Sequence, residues 1–148
     1  MRNLEHRPTG LGAVWVANSR AGVVSRIDPA GHTVTTVIPV QDRPLSITIA
    51  FGSVWVRNAR GNSVSRIDPA TNTVVATIPV RPKEGRDGVD GLGVNGSGLW
   101  VSGYSLVHVN AATNQVDRTI AHDGVSLDYG AGALWVTRNQ GDIIRLNV

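Results

Sequence analysis

One short tryptophan phrase recurs along this chain, and that recurrence limits the possible folds more than any other feature. It reads GAVWV at 12–16, GSVWV at 52–56, SGLWV at 97–101 and GALWV at 132–136. Laid over each other without a gap, 12–40 and 52–80 agree at 18 of 29 positions, including the block VSRIDPA and a closing Ile-Pro-Val. The third copy is more diverged, with VHVNAATNQVDRTI at 107–120 in place of SRIDPATNTVVATI, and the fourth closes on IIRLNV at 143–148. Successive tryptophans are 40, 45 and 35 residues apart, so the repeating unit is about 40 residues long.

Within each unit the period is that of strands. Val14-Trp15-Val16, Val64-Ser65-Arg66-Ile67 and Val74-Val75-Ala76-Thr77-Ile78 are short β-branched or aromatic runs broken by Gly, Asn, Asp and Pro. No long apolar stripe with a 3.6-residue period exists, which excludes helix. Asp28-Pro29-Ala30-Gly31 and Asp68-Pro69-Ala70-Thr71-Asn72 have hairpin chemistry, because Asp bonds the amides ahead of it and Pro presets φ. The second unit is therefore expected to be a four-stranded antiparallel meander of Pro44–Ala50, Ser53–Asn58, Ser63–Asp68 and Thr73–Pro79. One such sheet cannot bury both faces alone, so copies must pack against each other.

Four-stranded units of this length describe an all-β chain of the β-propeller class. The repeat VWVAN...VSRIDPATNTVVATIPV...PLSITIA resembles the YVTN-type propeller repeat, and its Trp-bearing strand is also similar to the repeat of the streptogramin B (virginiamycin B) lyase group. The expected layout is a single domain over 1–148 with blades near 12–40, 44–80, 88–120 and 124–148. The first blade has only RPTGLG where an innermost strand belongs, and the last lacks an outermost one. The expected sum is 14 strands, or about 3.5 blades. Such a count favours a fragment of a larger propeller, with self-association and a strained four-bladed monomer as alternatives, because open blade faces would expose apolar surface.

Composition then limits the class of function. Cysteine is absent, so disulfides, thiolate metal sites and cysteine nucleophiles are excluded. No run of about 18 apolar residues is present for a membrane helix, and MRNLEHRPTG lacks the apolar core of a secretory signal. Relatives suggested by the resemblance are often exported, so the compartment stays open. A net charge of +3, from 13 arginines and one lysine against 11 acids, falls short of a nucleic-acid signature. Gly91-Leu92-Gly93-Val94-Asn95-Gly96 matches a dinucleotide fingerprint only as letters, since no helix follows it, and it reads as a turn into SGLWV.

Repeated residues read first as structure. Trp15, Trp55, Trp100 and Trp135 share one position and suit packing between neighbouring blades. Asn18 and Asn58 suit turn capping. Arg26 with Asp28, and Arg66 with Asp68, are expected as exposed ion pairs worth under about 1 kcal/mol each.

Function is expected where the repeats disagree. The YVTN resemblance implies that the loops joining consecutive blades share one face with the loops between second and third strands. Those segments are 40–44, 81–88 and 121–124, with 18–22, 58–62 and 138–142 beside them. Arg20, Arg43, Arg57, Arg60, Arg81, Lys83, Arg86 and Arg138 fall in or next to them, so eight of 14 basic side chains are expected on one face. Guanidinium groups bind carboxylate or phosphate in bidentate fashion. The expected function is thus a non-catalytic binding module for an anionic ligand or an acidic protein surface, needing no cofactor. The lyase resemblance implies the alternative, a magnesium-assisted C–O elimination with a histidine base. Its acidic position falls here on Asn18, Asn58, Gly103 and Arg138, none a carboxylate, and His122 beside Asp123 is the candidate base.

Overall fold

The computed structural model describes residues 9–80, 91–138 and 140–148. Among them every regular element is a strand, and the strands form four open antiparallel sheets in chain order. The first sheet is β1 (Thr9–Gly10), β2 (Ala13–Asn18), β3 (Val23–Asp28) and β4 (Thr33–Pro39). The second is β5 (Pro44–Ala50), β6 (Ser53–Asn58), β7 (Ser63–Asp68) and β8 (Thr73–Pro79), with the expected limits. The third is β9 (Leu92–Val94), β10 (Gly98–Val101), β11 (Leu106–Asn110) and β12 (Gln115–Ile120). The fourth has three strands, β13 (Ser126–Gly130), β14 (Ala133–Thr137) and β15 (Ile143–Leu146).

One expectation needs correction. The first repeat does have a first strand: Thr9 and Gly10 pair with Val14 and Ala13. The cause is the hairpin that follows, in which Leu11 (φ 53°) and Gly12 (φ 73°) are both left-handed. That is the type I′ signature, whose twist matches the flanking strands and lets β2 recruit the preceding residues. The same turn joins β5 to β6 through Phe51 and Gly52, and β13 to β14 through Ala131 and Gly132.

The chain divides into two compact units, 1–77 and 78–148. In the first, Trp15 is buried with Ala17, Val24, Ile47, Val56 and Ile67, so side chains of both sheets form one core. In the second, Trp100 is buried with Leu106, Leu127, Leu134 and Val136. The sheets of this unit approach closely at Gly93, where a Cβ would come within 2.5 Å of Leu127 Cδ1. Trp15 and Trp55 are 0% exposed and Trp100 1%, whereas Trp135, on the three-stranded sheet, is 42% exposed.

The hairpins between third and fourth strands follow their Asp and Asn chemistry. Asp28 accepts the Ala30 and Gly31 amides (3.0 Å each), and Asp68 accepts the Ala70 amide (2.9 Å). Asn110 does the same for Ala112 and Thr113. Asp28 is therefore used locally, and the expected Arg26–Asp28 ion pair does not form. Arg26 instead lies over Trp15, its cross-strand neighbour, with its Cζ 5.4 Å from the ring centroid, and donates to Pro69 O (2.8 Å) and Asn72 Oδ1 (2.7 Å). A guanidinium gains more over an indole face than from an exposed carboxylate. Arg66 lies likewise over Trp55 at 4.9 Å and donates to Ser53 Oγ (2.9 Å).

Candidate functional site

Within the first unit, the loops after β2, β4 and β6 are tied by backbone hydrogen bonds. The Val40 amide donates to Gly22 O (2.9 Å), the Ala59 amide to Arg43 O (2.8 Å) and the Gly61 amide to Asp42 O (3.1 Å). These bonds hold the segments bearing Arg20, Arg43 and Arg60 in one cluster. Arg20 and Arg60 are exposed, and Arg43 is half-buried on a left-handed residue (φ 56°). Asn18 Oδ1 caps the first of these turns by accepting the Ala21 amide (3.2 Å).

The remaining basic candidates are placed differently. Arg57, expected on the rim, is only 3% exposed and donates to Asn58 O (2.7 Å) and Ser63 O (3.3 Å). Its guanidinium serves as a buried staple between β6 and β7. Arg138 forms a two-pronged pair with Asp142 across the turn after β14, and that contact holds the Asp142 carboxyl below the ordinary carboxylate range. Arg81, Lys83 and Arg86 lie outside the described residues. His122 is exposed, and its backbone amide donates to Ile120 O (2.8 Å).

At the positions implied by the lyase resemblance, Asn58 is buried and donates to Ser63 and Ser65 hydroxyls. Asn18 caps a turn and Arg138 is a cation paired with Asp142. This donor set does not fit a hard divalent cation. No cluster of three or more His, Asp or Glu suited to a metal occurs among the described residues.

The third sheet departs from the other three at one place, and the departure makes a site. Opposite the repeat tryptophan stands arginine in the first, second and fourth sheets: Trp15↔Arg26, Trp55↔Arg66 and Trp135↔Arg145. Opposite Trp100 stands His108. The arginine has moved one strand outward, to Arg118, which pairs with His108 and places its Cζ 5.9 Å from the Trp100 ring centroid. A bulge follows in both the first and third sheets, leaving Thr35 and Asp117 as the respective extra residues. A bulge re-aims its side chain, and here it turns Asp117 onto the histidine. His108 Nδ1 donates to Asp117 Oδ1 at 2.6 Å. Asn110 Nδ2 supports the other carboxylate oxygen at 2.9 Å.

The hairpin from β9 to β10 has also changed. It keeps two central residues, Gly96 and Ser97, but neither is left-handed. Asn95 Oδ1 holds it by accepting the Ser97 (3.0 Å) and Gly98 (2.8 Å) amides. Two consequences follow. Ser97 Oγ comes within 3.4 Å of His108 Nε2 and 3.2 Å of Asn95 Oδ1. In the other sheets the tryptophan Nε1 donates to the carbonyl five residues earlier, at Gly10, Ala50 and Gly130. Trp100 Nε1 is buried with no partner.

Together Asn95, Ser97, Trp100, His108, Asp117, Arg118 and Val148 line a cleft of about 380 Å³. His108 is 4% exposed, while Asp117 and Ser97 face solvent. The electrostatics have a defined direction. Hydrogen bonds from His108 first, and Asn110 second, hold the Asp117 carboxyl below the ordinary carboxylate range. An ionised Asp117 only accepts, so His108 Nδ1 is the donor in this contact. Sequence reading singled out His122–Asp123 and passed over this group. The available signal was the alignment of VHVN on SRID, which puts His108 where arginine stands in the other copies.

No family model matches the sequence, and no curated protein matches it. Among solved structures the chain is similar to the Kuenenia stuttgartiensis hydrazine synthase, with a TM-score of 0.80 and 15% identity, over 98% of this chain and 46% of that one. It is also similar to the computationally designed Ika4 protein, with a TM-score of 0.81 and 9% identity, over 98% of this chain and 91% of that one. The chain thus spans just under half the length of the hydrazine synthase chain it matches. At these identities the likeness shows a repeat β-sheet fold alone.

Proposed function

We propose that the four meanders are consecutive blades of a YVTN-type β-propeller and that the chain is a binding module whose loop-bearing face takes an anionic partner. The ~40-residue period and the sequential four-stranded sheets support the first half of this reading. The exposed Trp135 and the three-stranded last sheet support completion by further strands, from the rest of a longer propeller or from another copy. One observation carries the second half: three backbone hydrogen bonds gather the loops of Arg20, Arg43 and Arg60 into one cluster, in which Asp42 is the acidic neighbour. Guanidinium groups on adjacent loops suit carboxylates, which take two parallel N–H bonds from each fork.

A fluorescein-labelled hexaglutamate peptide, followed by anisotropy at low and at 200 mM salt, tests this reading. Arg20→Glu with Arg60→Glu is expected to weaken binding at least tenfold. The pair Arg118→Glu with Arg145→Glu changes net charge equally but lies in the second unit. Equal weakening by both pairs, or none by the first, refutes the loop-face reading.

A further inference from the structure

We propose that the face of the fourth sheet bearing Trp135 and Arg145 docks on the first sheet of a second copy of this chain. This inference rests on the reading of the sheets as consecutive blades and names what covers the last of them.

The first unit shows how a tryptophan face is covered. Ala13, Trp15, Ala17 and Val24, on one face of the first sheet, are buried against Ile47, Val54, Val56 and Ile67 of the second. Arg26, lying over the Trp15 ring, reaches across the same contact to Pro69 O (2.8 Å) and Asn72 Oδ1 (2.7 Å), in the hairpin between β7 and β8. The joint thus has two parts, an indole on a bed of aliphatic side chains and a guanidinium on a hairpin carbonyl. The apolar part supplies most of the attraction, and the polar part fixes the register.

The fourth sheet carries the projecting half of this joint without a bed. Leu134 and Val136 are buried with Trp100. Alternate residues of a strand point to the opposite face, and there Trp135 is 42% and Ile143 66% exposed. Arg145, the cross-strand neighbour of Trp135, has its Cζ 6.0 Å from the ring centroid, as Arg26 does over Trp15. It is exposed, and within its own chain it donates to Asn147 Oδ1 (2.7 Å).

The first sheet carries the matching bed. Val14, Val16, Ile27 and Val34 stand forty residues before Val54, Val56, Ile67 and Val74, and the register agrees, with Val14↔Ile27 in one sheet and Val54↔Ile67 in the other. In the second sheet Val54, Val56 and Ile67 are buried, and Val74 packs against them. In the first, Val16 is buried, Val14 and Ile27 are half-buried and Val34 is 57% exposed. Pro29, on an exposed hairpin, stands where Pro69 offers its carbonyl to Arg26. His32 replaces the second acceptor, Asn72, so the Pro29 carbonyl is the one carried over for Arg145.

Every copy therefore bears both halves of a joint that the repeat already makes once, and the described residues leave Trp135 and Val34 uncovered within one chain. Two unlike faces form a heterologous contact, made twice when a ring of two copies closes.

Light scattering on the full chain should give at least twice the 15.7 kDa of one copy. Trp135→Glu and Val34→Glu, both at exposed positions, should each run as single chains with unchanged circular dichroism. Mixed in equal amounts, they should regain mass, because the Trp135→Glu copy keeps its bed and the Val34→Glu copy keeps its indole. The proposal is overturned by a parent that runs as a single chain. It is equally overturned by an assembly that both variants leave intact, or by a mixture that stays monomeric. The blade reading fails on another result: Ile67→Glu puts a charge into the covered bed and should unfold the parent, and a folded Ile67→Glu would deny the stacking of the first two sheets. Hexaglutamate binding by Trp135→Glu should be unchanged, so failure here and failure of the loop-face reading are also separable.

Discussion

Replacing each repeat tryptophan by phenylalanine separates ring packing from the Nε1 hydrogen bond, and the structure ranks the outcomes. At Trp15 and Trp55, both fully buried, Nε1 donates to Gly10 O (3.3 Å) and Ala50 O (3.0 Å). There the substitution shrinks the ring, at about 1–2 kcal/mol on the scale of partial core truncations. It also removes a net hydrogen bond of about 1 kcal/mol. The total is about 2–3 kcal/mol. At Trp100 the shrinkage is the same but the sign of the polar effect is opposite. Its Nε1 is buried without a partner, and removing such a donor recovers about 1–3 kcal/mol. Trp100→Phe is therefore expected near neutrality, some 2–4 kcal/mol milder than Trp15→Phe by the same scales. Urea unfolding followed by far-UV circular dichroism reads this directly, since the backbone signal does not depend on the replaced ring. With a slope of about 2 kcal/mol/M, the gap is a midpoint difference of about 1–2 M. Equal midpoint losses for Trp100→Phe and Trp15→Phe would refute the claim that this indole lacks a partner.

Gly98 and Gly96 make a matched pair on the altered hairpin. A Cβ on Gly98 would lie 2.0 Å from Val109 O, a backbone atom that cannot step aside, so Gly98→Ala should cost about 3 kcal/mol in urea unfolding. A Cβ on Gly96 meets nothing within 4 Å, and Gly96→Ala should be neutral or stabilising by up to about 1 kcal/mol; reversal of that order would refute the close approach of Gly98 to Val109 O. Stability should also carry the signature of Asp117. Its folded-state pKa is depressed by His108 and then Asn110, so its contribution is fully present above the unfolded value of about 3.9 and is lost as pH falls through the lower folded value. The urea midpoints of the parent and Asp117→Asn should therefore converge below about pH 4, and a gap that persists unchanged to pH 2 would deny the contact.

How much of this was legible in the sequence differs with the interaction concerned. The second sheet has the strand limits that its turn residues mark, because Asp68-Pro69 and Gly52 act on their own backbone and need no tertiary partner. β1 escaped notice because two residues carry no period; it exists through the twist of the Leu11–Gly12 turn. Arg57 was misplaced for a related reason. It stands at the end of β6 beside a loop, and charge at such a place reads as exposed until its neighbours Asn58 and Ser63 are seen to offer carbonyls. Arg26 was assigned to the carboxylate two residues away, whereas its partners, Pro69 and Asn72, belong to the next repeat.

The third-sheet cluster escaped sequence reading because none of its spacings is a motif. Ser97, His108 and Asp117 are 11 and 9 residues apart and lie at a hairpin, on a strand and in a bulge. Only register joins them: β10 against β11 puts His108 beside Trp100, and the bulge in β12 returns Asp117 to it. The departures of the third copy looked like wear when taken singly. Taken together, Asn95 and Ser97 for the left-handed turn, His108 for arginine, Asp117 for Thr35 and Arg118 for Thr36 all alter one cleft. The first sheet keeps the corresponding hollow, lined by Arg26, Thr35, Thr36 and Asn72, without a histidine. These departures are joined through one hydrogen-bonded group, since Asn95 meets Ser97 and His108, and His108 meets Asp117.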